Sequence, residues 1–107
     1  MDFSTSRTDG MATLRIVGEL DAVTAPDLRP SVEALLAERP ARVVVDVSNL
    51  RLIDSCGVGG LISLYKEARG YGGVVTVHGL SNQPAAIFKL LRLDRLLQAE
   101  GQADVPR

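Results

Sequence analysis

Tryptophan is absent, and two Phe and two Tyr are the only aromatic residues. Single-stranded nucleic acids are usually gripped by stacked aromatics in a basic groove. Neither resource is present, because 12 basic and 13 acidic residues leave a net charge of −1 with no basic stripe. The sequence therefore predicts no direct nucleic-acid contact. One cysteine, Cys56, excludes an internal disulfide. With a single histidine and no Cys-x-x-Cys, no metal site is expected. No apolar run approaches the ~18 residues of a membrane helix, and the polar opening MDFSTSRTDG does not read as a signal peptide. The expectation is a cytoplasmic chain without membrane insertion.

What is present is a globular composition. Of the 107 residues, 46% are hydrophobic, enough for one core and one domain. The domain is expected over 1–107, with a core of about 3–99 and a polar, frayed tail over 100–107.

Apolar periodicity gives the elements. Phe3 to Arg7 reads as a weak strand, Asp9-Gly10 as a turn, and Met11 to Val17 as a better strand that Gly18-Glu19-Leu20-Asp21 leaves. Thr24 is a candidate N-cap, Pro26 lies in the first turn, and Leu28, Val32, Leu35 and Leu36 form one helical face ended by Arg39-Pro40. Arg42 to Val47 is a β-branched run expected to be buried on both faces, followed by a short polar connection. A second helix is expected just after Ser55, with Val58, Leu61, Ile62, Tyr65 and Ala68 inward and a stop at Gly70. Val74 to His78 is a further strand. Ser81-Asn82-Gln83-Pro84 opens a third helix with Ile87, Phe88, Leu90 and Leu91 on its inner side, and Asp94 is a candidate cap for a last turn carrying Leu96 and Leu97.

The order ββαβαβα predicts an α/β domain: a mixed, mostly parallel sheet with an N-terminal hairpin and packed helices. Sites in such sheets form at the carboxyl ends of strands. Asp21, Ser55 and His78 each follow or end a strand and are expected at one end.

Asp54-Ser55 at a helix entrance has a plain structural explanation. Serine caps helices, at about 1 kcal/mol, and an aspartate there suits the helix dipole. Catalytic readings fit poorly. Ile53 stands where a nucleophile elbow needs glycine. The segment completes neither Gly-x-x-x-x-Gly-Lys nor Gly-x-Gly-x-x-Gly. A Cys56–His78 pair lacks a third group to orient it. Cys56 is expected to be a partly buried, inert thiol, and Gly59 and Gly60 to serve close helix packing.

The stretch IDSCGVGGLISLYKEARGYGGVVTVHG, with Gly18-Glu19-Leu20-Asp21 and Thr24-Ala25 ahead of it, resembles the STAS domain of bacterial anti-sigma factor antagonists. The resemblance covers nearly the whole chain, more loosely over Ile87 to Leu93. The family's central Asp-Ser-Ser/Thr-Gly-Leu/Val-Gly matches Asp54-Ser55-Cys56-Gly57-Val58-Gly59, with Cys56 in place of a hydroxyl residue. The resemblance implies a non-enzyme without a cofactor. Its partner would be an anti-sigma factor that is also a serine kinase, with a phosphatase as a further partner. Ser55 would be the phosphorylation site. Asp21, Asp54, Ser55, Cys56 and Gly57 would form the partner-binding surface, with Gly57 letting the partner approach the backbone and the α-helical N–H groups receiving the phosphate. Two alternatives stand beside it. One is a STAS scaffold without a phosphoswitch, such as an accessory subunit of a transporter or stress-signalling complex. The other is a regulator binding a nucleotide or small molecule at the strand ends.

Overall fold

Strand alternation and helix periodicity resolve into nine elements in a computed structural model that describes residues 2–100. They are β1 (Asp2–Thr8), β2 (Met11–Leu20), α1 (Ala25–Leu36), β3 (Arg42–Ile53), α2 (Ser55–Gly70), β4 (Val74–His78), α3 (Asn82–Leu90), α4 (Leu93–Leu96) and β5 (Gln98–Glu100). The strands form one sheet in the order β1-β2-β3-β4-β5. β1 and β2 are antiparallel, and every later pair is parallel. The hairpin turns at Asp9 and Gly10, both with positive φ.

Ala12, Leu14 and Ile16 of β2 alternate into the core, as do Val43, Val45 and Val47 of β3. Leu28, Val32 and Leu35 of α1, Leu61 and Leu64 of α2 and Phe88 of α3 join the same core cluster. Val44 and Asp46, which point the other way, are only half-buried. β3 is thus covered fully on one face, not on both. β4 is the strand buried on both, with Val75, Thr76 and Val77 all inside. α1 continues through Pro30, because the apolar stripe on its inner face offsets the missing hydrogen bond.

Both central strands outrun their expected ends. β2 includes Gly18 to Leu20, and β3 runs through the polar Ser48-Asn49 to Ile53. Register shifts between Arg15 and Val17 and between Gly18 and Glu19 explain why periodicity hid this. Each shift breaks the two-residue alternation, so the buried positions of β3 go from Val47 to Leu50 to Ile53.

The C-terminal part also differs. Leu90 and Leu91 are exposed, not inward. Asp94 lies inside α4, whose preceding residue, Arg92, is left-handed with φ 58°. Leu97 is buried just beyond α4. β5 was not expected from three residues of modest β-propensity. It pairs Glu100 with His78, and the rest of the expected tail, residues 101–107, lies outside those described.

Candidate functional site

The parallel register of β2 and β3 pairs Leu20 with Ile53. The residues that follow, Asp21 and Asp54, therefore leave the sheet at the same end. His78 does not join them. It pairs with Asp46, well back along β3 from Ile53. At about 3.3 Å per residue the separation is roughly 20 Å, so Cys56 and His78 are not partners.

Asp54, not Ser55, is the N-cap of α2. Its backbone is extended, and its Oδ1 accepts the N–H groups of Cys56 at 2.9 Å and Gly57 at 3.0 Å. The Asp54 carbonyl takes the Val58 N–H at 2.9 Å. The other carboxylate oxygen, Oδ2, accepts the Ala22 N–H at 3.1 Å, across 32 residues of sequence. One side chain closes the helix entrance and tethers the turn after β2. These bonds also occupy the amides expected to receive a phosphate, since the donors of Cys56, Gly57 and Val58 all point into Asp54.

Ser55 is the first helical residue. It is exposed, and its hydroxyl makes no hydrogen bond among the described residues. Capping therefore does not account for this serine. Cys56 beside it is exposed rather than partly buried.

The turn carrying Asp21 is built from its own side chains. Asp21 Oδ1 accepts the N–H groups of Val23 at 3.0 Å and Thr24 at 3.1 Å. Thr24 Oγ1 accepts the Asp21 N–H at 2.9 Å and directs its own hydrogen between Asp21 Oδ1 and the Glu19 carbonyl. Thr24 precedes α1 but makes no side-chain bond to the helix. The Thr24 N–H, then its hydroxyl and the Val23 N–H, hold the Asp21 carboxyl below its ordinary value against an opposing effect of burial. Val23, at the tip of this turn, is 80% exposed.

The glycines exchange roles. Gly57 is buried and faces inward: a Cβ there would lie 2.5 Å from the Leu20 carbonyl oxygen and 2.8 Å from Ile53 Cγ1. It lets α2 sit against the ends of β2 and β3. At Gly59 and Gly60 a Cβ would meet nothing within 4 Å, so close packing does not require them. Both line an open groove of about 280 Å³ between α1 and α2, with Cys56 at one end and Glu33 and Glu67 among its walls.

A further side chain, which no sequence pattern marks, supports the site. Gln83, on α3, accepts the Ile53 N–H through Oε1 and donates to the Ile53 carbonyl through Nε2, both at 2.9 Å. No periodicity marks such a residue, and its position after Ser81-Asn82 suggested only a helix start.

The described residues contain no cluster of His, Cys, Asp and Glu that could hold a metal, and no described helix is long and apolar enough to cross a membrane. The arrangement is a small acidic and apolar face, Asp21, Val23, Asp54 and Ser55, on the turn after β2 and the entrance of α2, which one carboxylate joins. It lies at one end of a mixed α/β sheet.

Comparison with known proteins agrees with that class. A family model described as "Mlab, STAS domain" matches residues 3–98. The chain belongs to the STAS domain family. Among curated proteins it is similar to the anti-sigma-F factor antagonist RsfB of Mycobacterium tuberculosis, 29% identical over 91 residues, covering 82% of this chain and 74% of that one. Among solved structures it is similar to an anti-sigma factor antagonist from Mycobacterium paratuberculosis, with TM-score 0.84 and 25% identity over 96% of this chain and 88% of that one. The phosphorylated form of the Bacillus cell fate determinant SpoIIAA shares the fold, with TM-score 0.73 and 18% identity over 96% and 95% of the two chains.

Proposed function

We propose that this protein is an anti-sigma factor antagonist acting in the cytoplasm: it binds an anti-sigma factor that is also a serine kinase, frees the sigma factor, and is switched off when Ser55 is phosphorylated. The observation that carries the reading is the division between neighbours. Asp54 does all the capping, and Ser55 stands exposed on a rigid helix entrance with an unused hydroxyl. The similarity to proteins named anti-sigma factor antagonist supports the role. The domain needs no catalytic machinery for it, because the kinase belongs to the partner, and a phosphatase would restore the active form.

Phosphorylation adds close to two negative charges. With the amides of Cys56, Gly57 and Val58 taken by Asp54, the phosphate would stand on the surface, within the face that docks. Against an acidic group of the partner, a like-charge contact formed only in the complex at about 4 Å scales as roughly 4 kcal/mol at an effective dielectric of 20. Even half of that exceeds the ~1.4 kcal/mol of one decade in affinity. Local charge suffices, with no rearrangement of the domain. Asp21 and Asp54, whose carboxylates are held by backbone N–H groups, would shape the docking face, and Val23 would contribute an apolar contact.

The test has two parts. Intact-mass and fragmentation mapping of the protein from its own cells should find one phosphate, on Ser55, with occupancy that changes under stress. Ser55→Glu should bind the anti-sigma factor at least tenfold more weakly than Ser55→Ala. Equal binding by the two variants rules the switch out. A second reading, a STAS scaffold or transporter accessory subunit, is favoured only by Cys56 standing where the family pattern has a hydroxyl. Co-purification with a transporter ATPase and with no kinase would support it instead.

A further inference from the structure

Gln83 behaves toward β3 as a strand residue would. β4 ends at His78, opposite Asp46, while β3 continues to Ile53. The last part of β3 therefore has β2 on one side and no strand on the other. Ile53 is 1% exposed, and a buried backbone N–H or carbonyl left unpaired is costly. A primary amide carries the same donor and acceptor as a peptide group. Gln83 supplies both, at 2.9 Å each. The local chain aims it. Asn82 before it is left-handed, with φ 52°, and Pro84 after it is buried.

Ile53 is also the residue directly before Asp54. Gln83 thus grips the chain one step from the carboxylate that receives Cys56, Gly57 and Ala22. We propose that Gln83 is a positioning residue for Ser55: by completing β3 from α3, it fixes the Asp54-Ser55 step and hence the pose in which the serine is presented. The inference rests on reading Ser55 as the modified residue. It adds α3 to the elements that set the geometry of the site, acting through Ile53 and not through a hydrogen bond to Ser55.

Amide hydrogen exchange on the full chain tests it without a partner. Gln83→Met keeps the length of the side chain and removes both bonds. It should lower protection at Ile53, Cys56 and Gly57 by roughly tenfold relative to Val45 and Val77 in the core, the scale of two neutral hydrogen bonds. Reaction of the lone Cys56 with a disulfide reagent should accelerate in parallel. Gln83→Glu separates positioning from general stability. Its ionised carboxylate cannot donate to the Ile53 carbonyl, whereas its protonated form can. Protection at the same three amides, taken as the ratio to wild type at each pH, should therefore recover on acidification through the carboxyl range in Gln83→Glu and not in Gln83→Met. The proposal is overturned if Cys56 and Gly57 lose protection only in step with Val45 and Val77, or if acid gives no recovery. A wild-type protein free of phosphate in its own cells would instead remove the role assigned to Ser55, and the exchange result would still report whether Gln83 sets the entrance.

Discussion

The Asp54 carboxylate reaches across to the Ala22 backbone N–H at 3.1 Å, so the residue beside the exposed serine also holds the turn that carries Asp21 and Val23. Two loops distant in sequence share one anion. Asp54→Ala removes the cap and the tether together. It should cost about 1–3 kcal/mol, a cap plus one long-range hydrogen bond. Ser55→Ala should stay within about 0.5 kcal/mol of wild type, as exposed substitutions without contacts do. Urea unfolding of both variants gives the comparison. A larger loss for Ser55→Ala would mean that Ser55 has a structural duty its geometry does not display.

The glycines of α2 should respond with opposite signs. Gly57→Ala drives a Cβ to 2.5 Å from the Leu20 carbonyl oxygen, which is backbone and cannot swing aside. A loss of about 1–3 kcal/mol is expected, the scale of overpacking. Gly59→Ala and Gly60→Ala meet open space and should each stabilise by up to about 1 kcal/mol, through the higher helix propensity of alanine. Thermal or urea midpoints would show the reversal. Destabilisation at Gly59 or Gly60 would refute the account of the groove.

Thr76 is 1% exposed, and its hydroxyl has no hydrogen-bond partner among the described residues. Valine has nearly the same shape and no polar atom to desolvate. Thr76→Val should therefore be neutral or stabilising, by up to about 2 kcal/mol. A clear loss in urea unfolding would reveal a partner for that hydroxyl.

The Asp21 carboxyl lies below its ordinary value of 3.8. Its folded-state value is thus lower than its unfolded one, and the unfolded chain binds more protons between the two. The stability it contributes is complete above the ordinary value and disappears as pH falls through the folded one. Asp46 has the same sign: burial opposes, but the Ser48 hydroxyl and N–H, with His78 and Arg15 nearby, hold it low. Urea midpoints should fall on acidification below about pH 4. Asp21→Asn should flatten part of that fall and leave the rest to Asp46. An identical slope in the variant would count against Asp21 as a source.

The sequence made the architecture legible where composition and period agreed. The inward faces of α1, β2 and β4 follow from their apolar spacing, and the parallel order follows from helices alternating with strands. Asp54-Ser55 stood out because a polar pair opened an apolar, glycine-rich helix. Where bulges broke the alternation, at Arg15 to Glu19 and its partner stretch in β3, strand ends were placed too early. Leu90 and Leu91 were read inward from periodicity alone, yet α3 ends at Leu90 and both lie outside the packed face.

By itself, the sequence determined the class of fold and singled out the Asp54-Ser55 step at a helix entrance. These depend on local pattern and residue chemistry, which a linear chain displays. Which neighbour caps the helix, which glycine is indispensable, and which distant amide completes β3 were decided only in three dimensions. Asp54 caps because its carboxylate reaches two N–H groups in the first turn of α2, while its other oxygen holds Ala22 in the turn after β2. Gly57 is required because Leu20 crosses it. Gln83 matters because β3 outlasts β4, and a buried peptide group with no strand beside it takes its hydrogen bonds from whichever side chain can supply both.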